Sequence, residues 1–326
     1  MKLRVTLTLA VLLALLAGVS VLRLTLGGGE WHGPVLRVRA ANLAGGALVG
    51  ASLAVAGVFL QSLLRNPLAS PDLLGLASGS GFAVMIVVKL GLISAGVATA
   101  SGLGAISTTA AALLGAMGAL ALTYILSRKQ GVLDPLLLVL NGVVISIICS
   151  AGTMLVRHLL PFSESGIADR MLRGALREDI TPSEFILAGS VTILGIVVGM
   201  SAGRSMDAAS LTDDEAVSVG VPLGALRRLL FVLSGILTAT SVVLAGPIGF
   251  VGLICPHVVR LMAGPGHRVL VLGSALAGAA LVIGASAIVR AVDLPTGRLP
   301  IGVVTAIIGG PVFIAMLRRQ VRSAVL

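Results

Sequence analysis

Long apolar runs alternate with short polar segments along the whole chain. A helix needs about 20 mostly apolar residues to cross a bilayer, and by that measure the pattern predicts ten transmembrane spans. They cover residues 5–26, 40–64, 74–93, 97–126, 136–160, 184–203, 226–246, 249–263, 269–290 and 301–317. We therefore expect an all-α membrane protein of about ten transmembrane helices, which form one transmembrane domain over residues 1–326.

The distribution of Lys and Arg between the spans predicts the orientation of the chain. Cytoplasmic loops of membrane proteins are enriched in these residues, and more than half of them fall on the inner side if the N-terminus is cytoplasmic. The run after Lys2 and Arg4 is longer than the apolar region of a signal peptide, so we interpret it as the first span. The prediction is a multi-pass protein of the cytoplasmic (inner) membrane with both termini in the cytoplasm.

Small residues recur inside several spans. The stretches GGALVGASLAVAG (45–57) and GSALAGAALVIGAS (273–286) place Gly, Ala or Ser three to five positions apart. Small residues let neighbouring helices approach closely in lipid. Both stretches therefore predict tightly packed helices.

Two segments at span boundaries predict broken helices. RNPLASPDLLGLASGSG (65–81) and AGPIGFVGLICPHVVRLMAG (245–264) interrupt apolar sequence with prolines and glycines. Irregular backbone at membrane depth is tolerated only where it is buried in protein or lines a cavity. The segments follow the second and seventh spans, and because an offset of five spans inverts topology, the spacing predicts an inverted repeat.

The longest polar stretch on the inner side, residues 205–228, predicts a short helix. Thr212 and Glu215 have the spacing of a capping box. Asp213 and Asp214 would favour the positive end of the helix dipole, and Gly220 supplies a stop. The pattern predicts a helix over 213–219.

This short helix has two interpretations. It is either a solvated loop helix or a docking element for a soluble partner. The sequence predicts that it exposes Ala216, Val217 and Val219 to the cytoplasm as small apolar contacts.

Composition excludes some classes of protein. Hydrophobic residues make up 57% of the chain and charged residues 11%, against roughly 25% charged in soluble domains. The net charge of +10 does not indicate nucleic-acid binding, because the basic residues are scattered between apolar runs without a stripe or an aromatic platform. Arginines at the membrane surface explain the charge.

Candidate metal ligands are few. Cys149 and Cys255 lie in apolar segments without metal-type spacing and are interpreted as small buried hydrophobes. His257 could be a metal ligand, a proton carrier or a structural group beside Pro256. Because no second ligand lies nearby in sequence, a structural or gating role is favoured and no metal site is predicted.

The source of energy must lie outside this chain. The spans are nearly free of ionisable residues, which argues against a carrier coupled to protons or sodium. The sequence contains no P-loop motif. It also shows no combination of nucleophile, base and orienting residue that would indicate an enzyme. We expect a non-enzymatic chain that needs no cofactor, with ATP used by a partner subunit.

Three motifs carry a resemblance to a known family. RNPLASPDLLGLASG, GPIGFVGLICPHVVRLMAGPGHRVLVLGSALAGA and LPIGVVTAIIGGPVFIAMLRR resemble the permease subunits of the ABC importers for iron chelates and vitamin B12. The resemblance runs from about Arg39 to the C-terminus. It implies ten helices per subunit, a dimer of permeases on two ATP-binding cassette subunits, and a binding protein that delivers the substrate.

The resemblance also implies residue roles. The cytoplasmic gate corresponds to Asn66, Pro67 and Leu68. The helix that couples to the ATPase corresponds to segment 205–222, with the contact residues Thr212, Asp213, Asp214, Glu215, Ala216, Val217 and Gly220. The pore lining of the fifth helix corresponds to about Asn141–Thr153, including Asn141, Ser146 and Ser150.

The outer arginines Arg37, Arg39 and Arg298 are candidate docking residues for the binding protein. The chain departs from the family pattern at these positions: a second arginine is missing or displaced near Arg39, and Arg298 stands where an acidic residue is frequent. Ser286 replaces a common aspartate in the ninth helix. These departures also fit one half of a heterodimer.

The sequence is thus interpreted as the permease subunit of an ATP-driven importer of a metal chelate. A ferric siderophore is the first expectation, haem or vitamin B12 the alternative, and a secondary carrier the less favoured class. The expected partners are two ATPase subunits, an identical or homologous second permease, a substrate-binding protein and membrane lipid, but no nucleic acid.

Overall fold

The computed structural model describes residues 2–26, 33–90, 103–129, 132–160, 174–176, 180–292 and 299–325. In these ranges the protein is a bundle of α-helices. The helices are α1 (Lys2–Thr25), α2 (Gly33–Leu63), α3 (Leu76–Lys89), α4 (Leu103–Leu126), α5 (Pro135–His158), α6 (Pro182–Ser201), α7 (Gly203–Ala208), α8 (Asp213–Ser218), α9 (Leu223–Ala245), α10 (Val251–Ala263), α11 (His267–Ala291) and α12 (Ile301–Val325). A 3-10 turn (Pro71–Leu74) precedes α3, and a short antiparallel ribbon, β1 (Arg128–Lys129) and β2 (Val132–Leu133), joins α4 to α5.

The predicted spans all correspond to helices. Within the described ranges, seven helices are long and apolar enough to cross a membrane, and the three shorter apolar helices are α3, α10 and the first part of α12. Together they account for the predicted ten and confirm the fold class. The main difference in boundaries is α2, which begins at Gly33 rather than 40 and so includes Arg37 and Arg39. Long basic side chains reach the membrane surface from such positions, so their charge does not end the helix.

Close glycine contacts pack α2 against α11 at the centre of the bundle. A Cβ added to Gly50 would lie 2.1 Å from the carbonyl oxygen of Gly278, and one added to Gly278 would lie 2.2 Å from that of Gly50. Both glycines belong to the small-residue stretches in the sequence. The prediction that these stretches mark tight helix packing is therefore confirmed.

The two predicted breaks meet beside α2. Between α9 and α10 the chain turns through Gly246 and Phe250, whose φ angles are 67° and 70°. The next residue but one, Gly252, lies so close to α2 that a Cβ on Gly57 would fall 1.9 Å from its carbonyl oxygen. Gly252 also faces Pro71 of the other break. The broken helices are thus buried in protein, as lipid requires.

The first helix lies at the periphery. Most of its leucines and valines are exposed, as expected for a surface that faces lipid. Polar contacts fix it near both ends. Arg4 donates to the carbonyl oxygens of Met262 and Leu261 at 2.7 and 2.8 Å, and Arg23 donates to Ser286 Oγ at 2.9 Å.

Candidate functional site

The predicted gate residues form one compact turn after α2. Asn66 Oδ1 accepts a hydrogen bond from the Leu68 N–H at 2.9 Å, and the Asn66 carbonyl accepts one from the Ala69 N–H at 3.1 Å. Pro67 restricts the backbone between them. Arg65, just before the turn, has a left-handed φ of 47°. The backbone therefore reverses sharply at Arg65 and presents its side chain beside the turn.

The capped helix predicted for residues 213–219 is present as α8. Thr212 Oγ1 accepts from the Glu215 N–H at 3.4 Å, and Glu215 Oε2 accepts from the Thr212 N–H at 3.0 Å, which together make a capping box. Hydrogen bonds from Thr212 lower the pKa of the Glu215 carboxyl. The bond from the Thr212 side chain has the larger effect, and the bond from its backbone N–H adds to it. Gly220 follows with φ of 85°, a conformation that favours glycine.

The exposed apolar surface of α8 differs from the predicted one at a single position. Val217 and Val219 are exposed, at 59% and 63%. Ala216 was predicted to be exposed but is fully buried, because it faces the hydrophobic core under the segment and its carbonyl accepts from the Val221 N–H at 3.0 Å. Leu211, just before the helix, is exposed as well.

A cluster of charged side chains joins α8 to the gate turn. Asp213 is the first residue of α8. Its Oδ1 atom lies 2.6 Å from Arg65 Nη2. Arg227 of α9 donates to both carboxylate oxygens of Asp213, at 2.9 and 3.0 Å. Arg65 also donates from Nε to the carbonyl of Ala209 at 2.7 Å. One carboxylate therefore connects the predicted coupling segment, the predicted gate turn and α9.

The ionisation of Asp213 depends on this cluster. Partial desolvation raises the pKa of its carboxyl. The hydrogen bond from Arg227 and the positive charges of Arg227 and Arg65 outweigh that effect, so the pKa lies below its ordinary value. The carboxylate is therefore ionised at neutral pH.

A second polar link anchors the predicted coupling segment to the bundle. Asp207 of α7 accepts a hydrogen bond from the backbone N–H of His267, with 2.9 Å between Oδ1 and the nitrogen. The same Oδ1 atom lies 2.6 Å from His267 Nδ1. His267 starts α11, so the link spans α7 and α11. Sequence reasoning identified α8 but neither this pair nor the partners of Asp213, because residues far apart in one sequence carry no signal of contact.

The three predicted pore residues of α5 face different surroundings. Asn141 donates to Ser127 Oγ at 3.1 Å, and Ser146 accepts from Ser78 Oγ at 3.2 Å, so both face the protein. Ser150 lies on the exposed side of the helix. Most other exposed residues of α5 are apolar, among them Leu136, Leu140, Val143, Val144, Ile147, Ile148, Met154 and Leu155, and Arg157 and His158 are exposed at its C-terminal end.

The predicted docking arginines are also placed differently. Arg37 is exposed, whereas Arg39 is only 4% exposed and donates to the carbonyl of Leu24 at 2.9 Å. Arg39 therefore contacts the end of α1 instead of facing a partner. Among the described residues, Arg37 is the docking candidate that is exposed. Arg298 lies outside the described residues.

The buried Gln61 compensates for the proline inside α10. A proline leaves the carbonyl four residues earlier without its helical donor, and for Pro256 that residue is Gly252. Gln61 Nε2 donates to this carbonyl at 3.3 Å, and Gln61 Oε1 accepts from Arg260 at 3.2 Å. The sequence had suggested His257 for such a role, so Gln61 was missed. The described residues contain no group of three or more possible metal ligands.

Comparisons with known proteins agree with this architecture. The chain matches the FecCD transport family over residues 4–319. It is 37% identical to the vitamin B12 import system permease protein BtuC of Shigella boydii, over 98% of this chain and 94% of that protein. It is 34% identical to the cobalamin import system permease protein BtuC of Halobacterium salinarum, over 88% of this chain and 74% of that protein.

A solved structure has the same fold. It is described as an inward-facing conformation of a metal-chelate type ABC transporter, and it matches with a TM-score of 0.82 and 28% identity over 96% of this chain and 99% of that one. The resemblance drawn from the sequence motifs is confirmed. The protein is a multi-pass membrane permease, and the chain belongs to the FecCD transport family of ABC importer permeases.

Proposed function

We propose that this permease imports a metal chelate of the vitamin B12 class, in preference to the ferric siderophore that was the first expectation from the sequence. The observation that carries the proposal is the substrate of the relatives, which are vitamin B12 or cobalamin import permeases at 37% and 34% identity. The first alignment covers 98% of the chain, so the helices that would form the pore are included.

In this proposal the chain hydrolyses no ATP and needs no cofactor. Two separate ATP-binding cassette subunits supply the energy, a second permease completes the pore, and a substrate-binding protein delivers the chelate to the outer surface near Arg37. The apolar side chains Val217 and Val219, exposed on a capped helix, are suited to docking in a cleft of an ATPase.

The charged cluster supports a route from the ATPase to the gate. Arg65 contacts Asp213 at the start of α8 and directly precedes the Asn66–Leu68 turn. When ATP moves α8, the ion pair transmits the displacement through Arg65 to the backbone of that turn. The gate then opens or closes in step with the ATPase.

Reconstituted transport tests the substrate and the energy source. The full-length chain is purified with the subunits that accompany it and placed in liposomes with its binding protein. We expect saturable, ATP-dependent uptake of radiolabelled cyanocobalamin that exceeds uptake of a ferric siderophore or haem. Uptake of the siderophore alone would overturn the substrate proposal. Uptake driven by an ion gradient without ATP would instead identify a secondary carrier.

A further inference from the structure

A cavity of about 750 Å³ lies at the α8 end of the bundle. Its walls come from the start of α1, the end of α2, the segment α7, and the loop between α10 and α11. Pro67 of the predicted gate turn lies at its edge, and none of its lining residues belongs to α5. The charged or titratable residues that line it are Arg4, Arg65, Asp207, Arg260 and His267.

The positive charges of this cavity exceed the negative ones. Three arginines line it against one carboxylate, that of Asp207, which is hydrogen-bonded to His267. Arg65 has its own partner in Asp213. Within the described part of the chain, Arg4 bonds to backbone carbonyls and Arg260 bonds to the side-chain amide of Gln61.

Among the described residues these two guanidinium groups therefore have neutral acceptors and no carboxylate partner. Arg260 is partly buried, and a cation in such a site is stabilised by a counterion. Planar guanidinium groups match the geometry of phosphate oxygens.

The surface around the two arginines is suited to lipid. Leu3 and Leu7 of α1 are exposed, at 82% and 64%, and lie within one turn of Arg4. Leu261, next to Arg260, is 54% exposed. The exposed leucines offer contacts for acyl chains, and the two neighbouring arginines offer contacts for a headgroup. Both lie at the end of α1, a helix at the periphery of the bundle. Basic pockets between transmembrane helices bind anionic headgroups in this way.

We propose that Arg4 and Arg260 bind the phosphate of an anionic phospholipid in this cavity, with its acyl chains against the leucines of α1 and α10. The two arginines neutralise the headgroup while keeping their contacts with α10 and α2. The bound lipid then fixes α1 next to the loop between α10 and α11. The site does not depend on which chelate the permease carries.

Native mass spectrometry of the purified full-length chain and its bound subunits tests the site. Phosphatidylglycerol and phosphatidylcholine with identical acyl chains are titrated separately. We expect tighter binding of phosphatidylglycerol. The double substitution Arg4→Gln/Arg260→Gln should weaken its binding by about tenfold or more, because it removes charge-assisted hydrogen bonds.

Two sets of variants serve as controls. Arg204→Gln/Arg228→Gln removes two exposed arginines that do not line the cavity and should leave the lipid preference unchanged. Arg4→Lys/Arg260→Lys keeps both charges and should retain most of it. An undiminished preference in the glutamine variant, or an equal loss in the Arg204/Arg228 variant, would overturn the proposal.

Competition on the unmodified chain distinguishes the sources of phosphate and needs no variant to fold. Millimolar inorganic phosphate should not displace phosphatidylglycerol. If it does, the cavity binds a soluble anion and the lipid assignment is wrong. If the preference disappears whenever ATPase subunits are bound, acidic side chains of the ATPase occupy the cavity and the lipid assignment is again wrong.

Discussion

Single glycines determine how closely the central helices approach. Gly57 faces the backbone of Gly252, and Gly50 faces that of Gly278. In each case the neighbour is backbone, which cannot rotate away as a flexible side chain can. These positions therefore tolerate no Cβ without separation of the helices.

Replacement of Gly57 by alanine should destabilise the protein strongly. Overpacking a core position costs about 1–3 kcal/mol, and a contact of 1.9 Å with a carbonyl oxygen places this one at the upper end. The measurement is the midpoint of thermal unfolding in detergent. Gly18→Ala is the matched control, since a Cβ there would meet no group of another described helix within 4 Å. An equal effect of both substitutions would contradict the packing argument.

The carboxylate of Asp213 predicts a dependence of stability on pH. Its pKa in the folded protein is lowered, while the unfolded value is about 3.9. The ion pairs of Asp213 therefore contribute fully to the free energy of unfolding above about pH 5. This contribution is lost as the pH falls through the lowered pKa of the folded protein.

Asp213→Asn tests this dependence. The variant should unfold at a lower temperature than the unmodified chain near about pH 7, and the difference should shrink as the pH falls through the lowered folded value. Asp214→Asn removes the same charge from the exposed neighbouring residue and should show little difference at either pH. A deficit for Asp213→Asn that is constant with pH would rule out the ionic contribution.

At the scale of elements, two helices carry the same capping box at opposite ends of the bundle. Thr212 and Glu215 cap α8, and Thr181 and Glu184 cap the far end of α6. The two threonines make the same capping-box hydrogen bonds with their glutamates, and only one of them belongs to the proposed coupling segment. This provides an internal comparison between stability and coupling.

Thr212→Ala should weaken coupling more than Thr181→Ala does. Loss of a capping residue costs about 1 kcal/mol, and in the six-residue α8 that cost falls on the docking element itself. We expect roughly fivefold weaker association with the ATPase subunits for Thr212→Ala and little change for Thr181→Ala. Pull-down titration measures this, and equal association of the two variants would contradict the role of α8.

The helices and their caps could be predicted from the sequence because both depend on local patterns. Apolar runs mark the spans, and the Thr212–Glu215 spacing marks α8. The burial of Ala216 and the pairing of Asp213 with Arg65 could not be predicted. They depend on which distant segments meet, and a single sequence does not contain that information.

For the whole molecule, the exposed side of α5 is the surface on which the pore proposal can be tested. It is apolar apart from a few positions such as Ser150, and apolar surfaces of this kind face lipid, a second permease or a wide pore. The three alternatives differ in their exposure to water. Water-soluble reagents therefore distinguish a pore from lipid contact.

Ser150→Cys in a Cys149→Ala background should react with a membrane-impermeant maleimide in the assembled transporter. Ser190→Cys, on the exposed surface of α6, is the lipid-facing control and should react slowly. The rate of labelling is the measurement. Slow labelling at both positions would remove Ser150 from the pore lining.

The contacts of α1 have a consequence for biogenesis. Arg4 bonds to carbonyls of α10 that lie 257 and 258 residues later in the chain, and Arg23 bonds to Ser286, 263 residues later. At a synthesis rate of about 5–20 residues per second, roughly 13–50 seconds separate the emergence of α1 from that of its partners. During that interval α1 is in lipid without its contacts to α10 and α11, and its mostly apolar surface makes this possible.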